Sequence, residues 1–264
     1  DEFTLLMPEI NTVDDVIATA RKTLSKFAAP FLVDDHEFFV GASIGIAMYP
    51  EGGEDPEALI RNADVAMYHI KGRGKNSYQF YTPRMNERYS GQLALDRELR
   101  GAIARDELVA YYQPQVELTT GRVVGVEALA RWQHPERGLV SPSEFIPLAE
   151  ETGLITAVDE QIQRLASAEV ARFNRESDTR VQLSLNVSAS QLEQDHFVDW
   201  MLETIERTGI SCDAVRLEIT ESVIMREMEV IVPKLTVLAG HGVRIGIDDF
   251  GVGYSSLSYL QRFP

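Results

Sequence analysis

The chain has 264 residues, 44% hydrophobic and 25% charged, the balance of a soluble globular protein with length enough for two ordinary domains. Its 41 acidic against 25 basic residues give a formal charge of −16, which opposes loose binding to long nucleic acid or anionic lipid. A small anionic nucleotide is compatible with that charge, provided metal ions or a few placed cations neutralise it locally. The single cysteine, Cys212, excludes an internal disulfide and a cysteine-based zinc site. No apolar run approaches the roughly 20 residues needed to span a bilayer, and no charged-then-apolar leader opens the chain. A cytoplasmic setting is expected. The start at Asp1 and the stop at Pro264 without a cap or polar tail lead us to expect a piece of a longer protein.

Residues 1–82 read as an α+β segment. Phe3–Met7 is a short apolar strand candidate, and a helix is expected from Asn11 or Thr12, with Asp14 and Asp15 suiting the dipole of its first turn. Glu37–Val40 and Ala42–Met48 are strand-like runs bounded by the Asp34-Asp35 and Gly52-Gly53 turns. Leu59, Ile60, Ala63, Ala66 and Met67 recur at helical spacing between about Asp55 and His69. A linker helix is expected over 83–106, and the second domain over 107–264. In that domain the strand candidates are Val109–Tyr112, Val123–Leu129, Val181–Val187, Val215–Ile219 and Val243–Asp248. Helices are expected near 143–152, 157–177, 195–208 and 226–240. This alternation predicts a parallel sheet with helical crossovers, either open and doubly wound or closed into a barrel.

Such sheets bind ligands at the carboxyl ends of their strands. Glu127, Asn186, Glu218 and the pair Asp248-Asp249 stand at four such ends. Taken singly, a carboxylate there is most often solvated or caps the next helix. Inside otherwise apolar strands, however, an ionisable group costs several kcal/mol unless it is paired or metal-bound. The set is all hard oxygen, without His or Cys, and suits Mg²⁺ or Mn²⁺ rather than zinc. Successive strand residues point to opposite faces, so Asp248 and Asp249 can share a site only where the strand ends or bulges. The glycines of Asp249-Phe250-Gly251-Val252-Gly253 permit such an exit. Two ions sharing a bridging carboxylate would activate a water and clamp a scissile phosphate. Spacing alone does not name the substrate.

From Tyr112-Gln113-Pro114 onward the chain resembles the EAL family of bacterial cyclic di-GMP phosphodiesterases. The resemblance runs through Glu127-Ala128-Leu129-Ala130-Arg131-Trp132 with His134-Pro135, and through Phe145-Ile146-Pro147 and Gly153-Leu154-Ile155. It continues with Leu185-Asn186-Val187-Ser188, Leu217-Glu218-Ile219-Thr220-Glu221-Ser222 and Asp248–Leu257. It implies a TIM-like barrel with one antiparallel strand, incomplete here because the family pattern extends beyond Pro264 to a lysine, a glutamate and a glutamine of the site. It further implies that Glu127, Asn186, Glu218, Asp248 and Asp249 coordinate two Mg²⁺ or Mn²⁺ ions, and that Glu221 holds the loop beginning at Asp249. Arg131 would bind a substrate phosphate, with Gln113 and Leu129 lining the nucleotide pocket. The implied reaction opens cyclic di-GMP to linear pGpG.

The first segment resembles the C-terminal half of the GGDEF, or diguanylate cyclase, family. Asp1-Glu2-Phe3 would end its signature loop. Ala42–Ala47, Ala63–Tyr68 and the stretch from Lys71 to Lys75 and Asn76 carry the rest. GTP is the implied ligand, with Lys71 and Lys75 as candidate phosphate contacts, and a homodimer with an upstream sensor is the expected setting. Two other functional readings follow from the same motifs. One is an EAL module that senses cyclic di-GMP without cleaving it. The other is a diguanylate cyclase with a regulatory EAL part.

Overall fold

The computed structural model describes residues 2–10, 12–27, 29–33, 36–38, 40–71, 76–177, 179–226, 228–251 and 263. The chain divides into two compact units, Asp1–Leu95 and Asp96–Pro264. No helix of the described residues is long and apolar enough to cross a membrane.

The first unit begins with helix α1 (Val13–Ser25), whose start is set by a capping box. The Thr12 hydroxyl accepts from the Asp15 amide, and the Asp15 carboxylate accepts from the Thr12 amide. The expected strand at Phe3–Met7 does not form. Phe3, Leu5 and Leu6 are 93%, 72% and 80% exposed, and no described strand pairs with them. Apolar composition is insufficient where no ladder satisfies the backbone. Strands β1 (Phe31–Val33) and β2 (His36–Phe38) form an antiparallel pair. Strand β3 (Ser43–Ile46), helix α2 (Pro56–Lys71) and strand β4 (Ser77–Phe80) form a βαβ unit with β3 and β4 parallel. The helix lies so close to the strand that a Cβ at Gly45 would meet the Ala63 carbonyl at 1.9 Å. Val65, Ala66 and Met85 form a core cluster with Tyr81 packed against it. Helix α3 (Pro83–Ala104) spans the division between the units.

The second unit is built on one sheet. In chain order it runs β5 (Leu108–Val116), β6 (Val123–His134), β7 (Gly138–Val140), α4 (Pro142–Thr152), α5 (Ile155–Glu176), β8 (Gln182–Asn186), α6 (Ala189–Glu193), α7 (Phe197–Thr208), a 3₁₀ turn (Cys212–Ala214), β9 (Val215–Thr220), α8 (Glu221–Arg226), α9 (Met228–Gly240) and β10 (Arg244–Asp248). The strand order is β10-β9-β8-β6-β5, with β7 paired to β6. Strands β6, β8, β9 and β10 are parallel, and β5 runs antiparallel to β6. This is a TIM-like sheet with one reversed strand. Strand β5 continues four residues past the expected Tyr112, through Pro114. Proline is tolerated there because β5 is the edge of the sheet and one missing N–H breaks no second ladder. The helix expected over 226–240 forms as α9, and a short helix not expected from the sequence, α8, precedes it.

The side chains of Leu183, Leu185, Leu217 and Ile219 are 0–1% exposed on the face that the helices cover. Trp132 anchors the β6 end of this core. It is fully buried, donates Nε1–H to Glu107 at 3.0 Å and meets Phe145 edge-on at 6.0 Å. His134 closes the β6–β7 turn, its Nδ1 accepting from the amides of Glu136 and Arg137 at 3.1 Å. The Trp132–His134 part of the motif is therefore scaffold.

Candidate active site

Register decides which side chains share a face. Gln113 pairs with Glu127, Glu127 with Ser184, Asn186 with Glu218, and Glu218 with Gly246. Side chains alternate with period two along each strand. Leu129 and Arg131 thus share the face of Glu127, and Asp248 that of Gly246. Gln113, Glu127, Leu129, Arg131, Asn186, Glu218 and Asp248 all fall on one face, opposite the helix-covered leucines. Asn186, Glu218 and Asp248 stand at or near the carboxyl ends of β8, β9 and β10. Glu127, expected at a strand end, is instead the fifth of twelve residues of β6, where the parallel pairing with β8 runs out, and Gln113 lies opposite it on the reversed strand.

Asn186 donates Nδ2–H to Glu127 Oε1 at 2.9 Å, so the end of β8 is already joined to the neighbouring strand β6. Among the described residues, Asn186 Oδ1 and Glu127 Oε2 have no protein partner. Glu127 and Glu218 are half-buried, while Asn186 and Asp248 are exposed. Among the described residues no three His, Cys, Asp or Glu side chains converge closely enough to hold a metal ion by themselves. The carboxylates are spread along the strand ends, with Asn186 between Glu127 and Glu218. In chemistry the donor set fits a hard divalent cation, being carboxylate and amide oxygen throughout.

Arg131 lies over the Tyr111 ring, 5.4 Å from its centroid, and donates Nη1–H to the Ala130 carbonyl at 2.8 Å. The guanidinium is therefore held over its face and through one terminal nitrogen, with other donors of its fork to spare. Strand β10 ends at Asp248, and the turn out of it is taken by Asp249 itself at φ 54°, with Gly251 at φ 94°. The expectation placed this turn on the glycines. Aspartate tolerates the left-handed region better than most side chains, and here the Asp249 amide donates to Asp248 Oδ1 at 2.9 Å. Glu221, 8% exposed at the start of α8, accepts from the Gly251 amide at 2.9 Å and so ties the end of β9 to the turn after β10. Val252 to Leu257 of the last motif lie outside the described residues. So does Lys75. Lys71 ends α2, and only its backbone is described.

Behind Asn186 lies a polar network that the sequence reading did not single out. Gln163 of α5 and Gln191 of α6, each 1% exposed, exchange side-chain hydrogen bonds of 2.9 and 2.8 Å, and Gln163 Nε2 also donates to the Asn186 carbonyl at 2.9 Å. Asp159, one helical turn before Gln163, accepts from the Ser188 amide at 3.2 Å. Burial raises the Asp159 carboxyl to about 7, against the pull of its Ser188 hydrogen bonds and with a further push from Glu150 and Glu160. The available signal was two glutamines, 161 and 163, set among the apolar positions of α5.

A mostly parallel α/β sheet with one reversed strand and oxygen donors along its carboxyl edge defines a TIM-like barrel protein. The chain belongs to the EAL domain family, whose model matches residues 96–264. Residues 1–77 match the diguanylate cyclase, GGDEF domain, so a GGDEF segment precedes the EAL segment. The chain is 40% identical over 264 residues to the bifunctional diguanylate cyclase/cyclic di-GMP phosphodiesterase MucR of Pseudomonas aeruginosa, covering all of this chain and 38% of that protein. It is 37% identical over 265 residues to the cyclic di-GMP phosphodiesterase PdeR of Escherichia coli, again over all of this chain and 40% of that one. The solved structure of the PaMucR phosphodiesterase in its c-di-GMP complex superposes with a TM-score of 0.61 at 40% identity, over 64% of this chain and 68% of that one. The chain thus spans about two fifths of the length of these curated relatives.

Proposed function

We propose that the second unit forms the metal and substrate face of a phosphodiesterase that hydrolyses cyclic di-GMP to linear pGpG. The observation that carries this is the shared face, on which Gln113, Glu127, Leu129, Arg131, Asn186, Glu218 and Asp248 lie in register. The relatives' names supply the substrate.

Glu127, Asn186, Glu218, Asp248 and Asp249 would hold two Mg²⁺ or Mn²⁺ ions. Such ions supply Lewis acidity and an activated water at neutral pH. The Asn186–Glu127 hydrogen bond presets the spacing of two of these residues. Arg131, steadied by Tyr111, offers a fork of donors to a phosphate of the substrate. Gln113, paired with Glu127 across the ladder, and Leu129, two residues further along β6 on the same face, would line the pocket for the nucleotide base. Glu221 fixes the Asp249–Gly251 turn and with it the direction of the Asp249 carboxylate.

The test is turnover by the full-length parent protein with Mg²⁺ or Mn²⁺, following linear pGpG by chromatography. Glu127→Ala is expected to lower the rate by more than the roughly 10–100-fold that a supporting residue is worth. Wild-type turnover in that variant sinks the ligand assignment. Binding of cyclic di-GMP by the wild type without any linear product replaces hydrolysis with sensing.

A further inference from the structure

We infer that Gln163 is a positioning residue for Asn186, acting through the backbone at the end of β8. The inference rests on the reading of Asn186 as a metal ligand and deepens it. Asn186 is the last residue of β8, where the ladder stops and the chain turns into the five-residue helix α6. A strand end is free to shift unless something outside the ladder holds it. Here α5 does so at two points. Gln163 donates to the Asn186 carbonyl, and Asp159, four residues earlier on the same helix face, accepts from the Ser188 amide. The two bonds clamp the segment on both sides of Val187, whose own amide donates to the Glu218 carbonyl at 3.0 Å.

The Gln163 amide is fully used. One N–H goes to Asn186, the other to Gln191 Oε1, and its oxygen accepts from Gln191 Nε2. Gln191 in turn is placed by its backbone amide, which donates to the Ser188 hydroxyl at the α6 N-cap. The C-terminal carbonyls of this short helix are gathered by Lys234 of α9, whose Nζ donates to Leu192, Glu193 and Gln194 at 2.6–3.3 Å. The Gln163–Gln191 support of the Asn186 backbone is therefore itself fixed, while the Asn186 side chain stands exposed toward Glu127. A buried amide pair whose sole purpose was packing could be replaced by two apolar side chains of similar shape. The third hydrogen bond, to the carbonyl of a strand-end residue on the polar face, is what such a replacement would lose.

The test separates these roles in the full-length protein. Mn²⁺ affinity is measured by electron paramagnetic resonance without substrate, beside thermal unfolding and the kcat and KM for cyclic di-GMP. Gln163→Leu is expected to unfold at lower temperature, because it strands the buried Gln191 amide, and to bind Mn²⁺ about 10-fold or more weakly. Gln163→Leu/Gln191→Leu is expected to recover most of the stability, since both amides are gone, while Mn²⁺ affinity stays low. KM measured at saturating Mn²⁺ stays within about twofold of wild type. Recovery of Mn²⁺ affinity together with stability in the double variant overturns the inference. Should Gln163→Leu fail to fold, the double variant still decides. Glu127→Ala guards the underlying reading. If it leaves Mn²⁺ affinity unchanged, the ligand set itself is wrong and both readings fall. If it lowers the affinity and the glutamine variants do not, the positioning role alone is lost.

Discussion

Asn186 and Asp248 each close a parallel strand on the same face, yet the two ends are held in different ways. The β8 end is clamped from behind by Gln163, Gln191 and Asp159, through bonds that helix and strand bury. The β10 end leaves the sheet through an exposed left-handed Asp249, and its described tie to the neighbouring strand is the Glu221–Gly251 bond. The difference teaches where rigidity comes from at a strand edge. The first end is fixed by packing that exists whether or not anything is bound. The second is fixed by one buried carboxylate and by a backbone conformation that most side chains avoid.

Breaking that tie should have a large effect. Glu221→Ala removes the acceptor of the Gly251 amide and lets the Asp249 turn drift. A misplacement of about 1 Å at reacting groups can lower a rate by roughly 100-fold, and a loss of that order in cyclic di-GMP turnover is expected. Glu221→Gln keeps an acceptor oxygen and should recover part of it. A Glu221→Ala variant that turns over at the wild-type rate would show that the turn needs no such anchor.

Asp249→Gly sharpens the same point from the other side. A left-handed non-glycine residue is strained by roughly 1–2 kcal/mol, and glycine relieves that strain while adding about 0.4–1 kcal/mol of unfolded-state entropy. The net is a gain of roughly 0–1.6 kcal/mol in unfolding free energy. Turnover should fall sharply because the carboxylate is gone. Stability rising while activity falls marks Asp249 as strain retained for the site. Denaturant unfolding beside turnover checks both signs.

The contrast also explains what could be read in the sequence. Asn186, Glu218 and Asp248 were legible because a polar residue at or near the end of an apolar strand stands out at period two, and Glu127 because it is ionisable within the apolar first half of β6; register then aligns strand with strand. The five long strands and α4, α5 and α7 were legible for the same reason, their periodicities being sustained. Strands β4 and β7 and helices α6 and α8 span three to six residues, too few for a period to show. Phe3–Met7 misled because strand formation depends on a partner that composition does not reveal. The clamp on Asn186 was hidden for a further reason. Gln163 and Gln191 lie 28 residues apart, and only the packing of α5 beside α6 makes them one unit. The left-handed Asp249 escaped because aspartate and glycine were both available at the turn and glycine is the usual choice.

A stability effect tests the clamped end through pH. In the folded chain the Asp159 carboxyl is raised to about 7, chiefly by burial, above its ordinary unfolded value near 4. The folded state therefore holds more protons than the unfolded state between those values, and its stability falls as pH rises through that window. Asp159→Asn keeps an oxygen that can accept the Ser188 amide and removes the ionisation. At pH 4 variant and wild type should unfold at nearly the same temperature, and by pH 8 the variant should be the more stable by on the order of 10 °C. Carboxylates away from Asp159 titrate alike in both proteins, so the difference between the two unfolding curves reports on this group and the Glu150 and Glu160 charges coupled to it. A difference that does not change between pH 4 and pH 8 would mean that Asp159 is ionised in the fold throughout. The Ser188 tie would then be a charged hydrogen bond, and Asp159→Asn would weaken the clamp rather than relieve it.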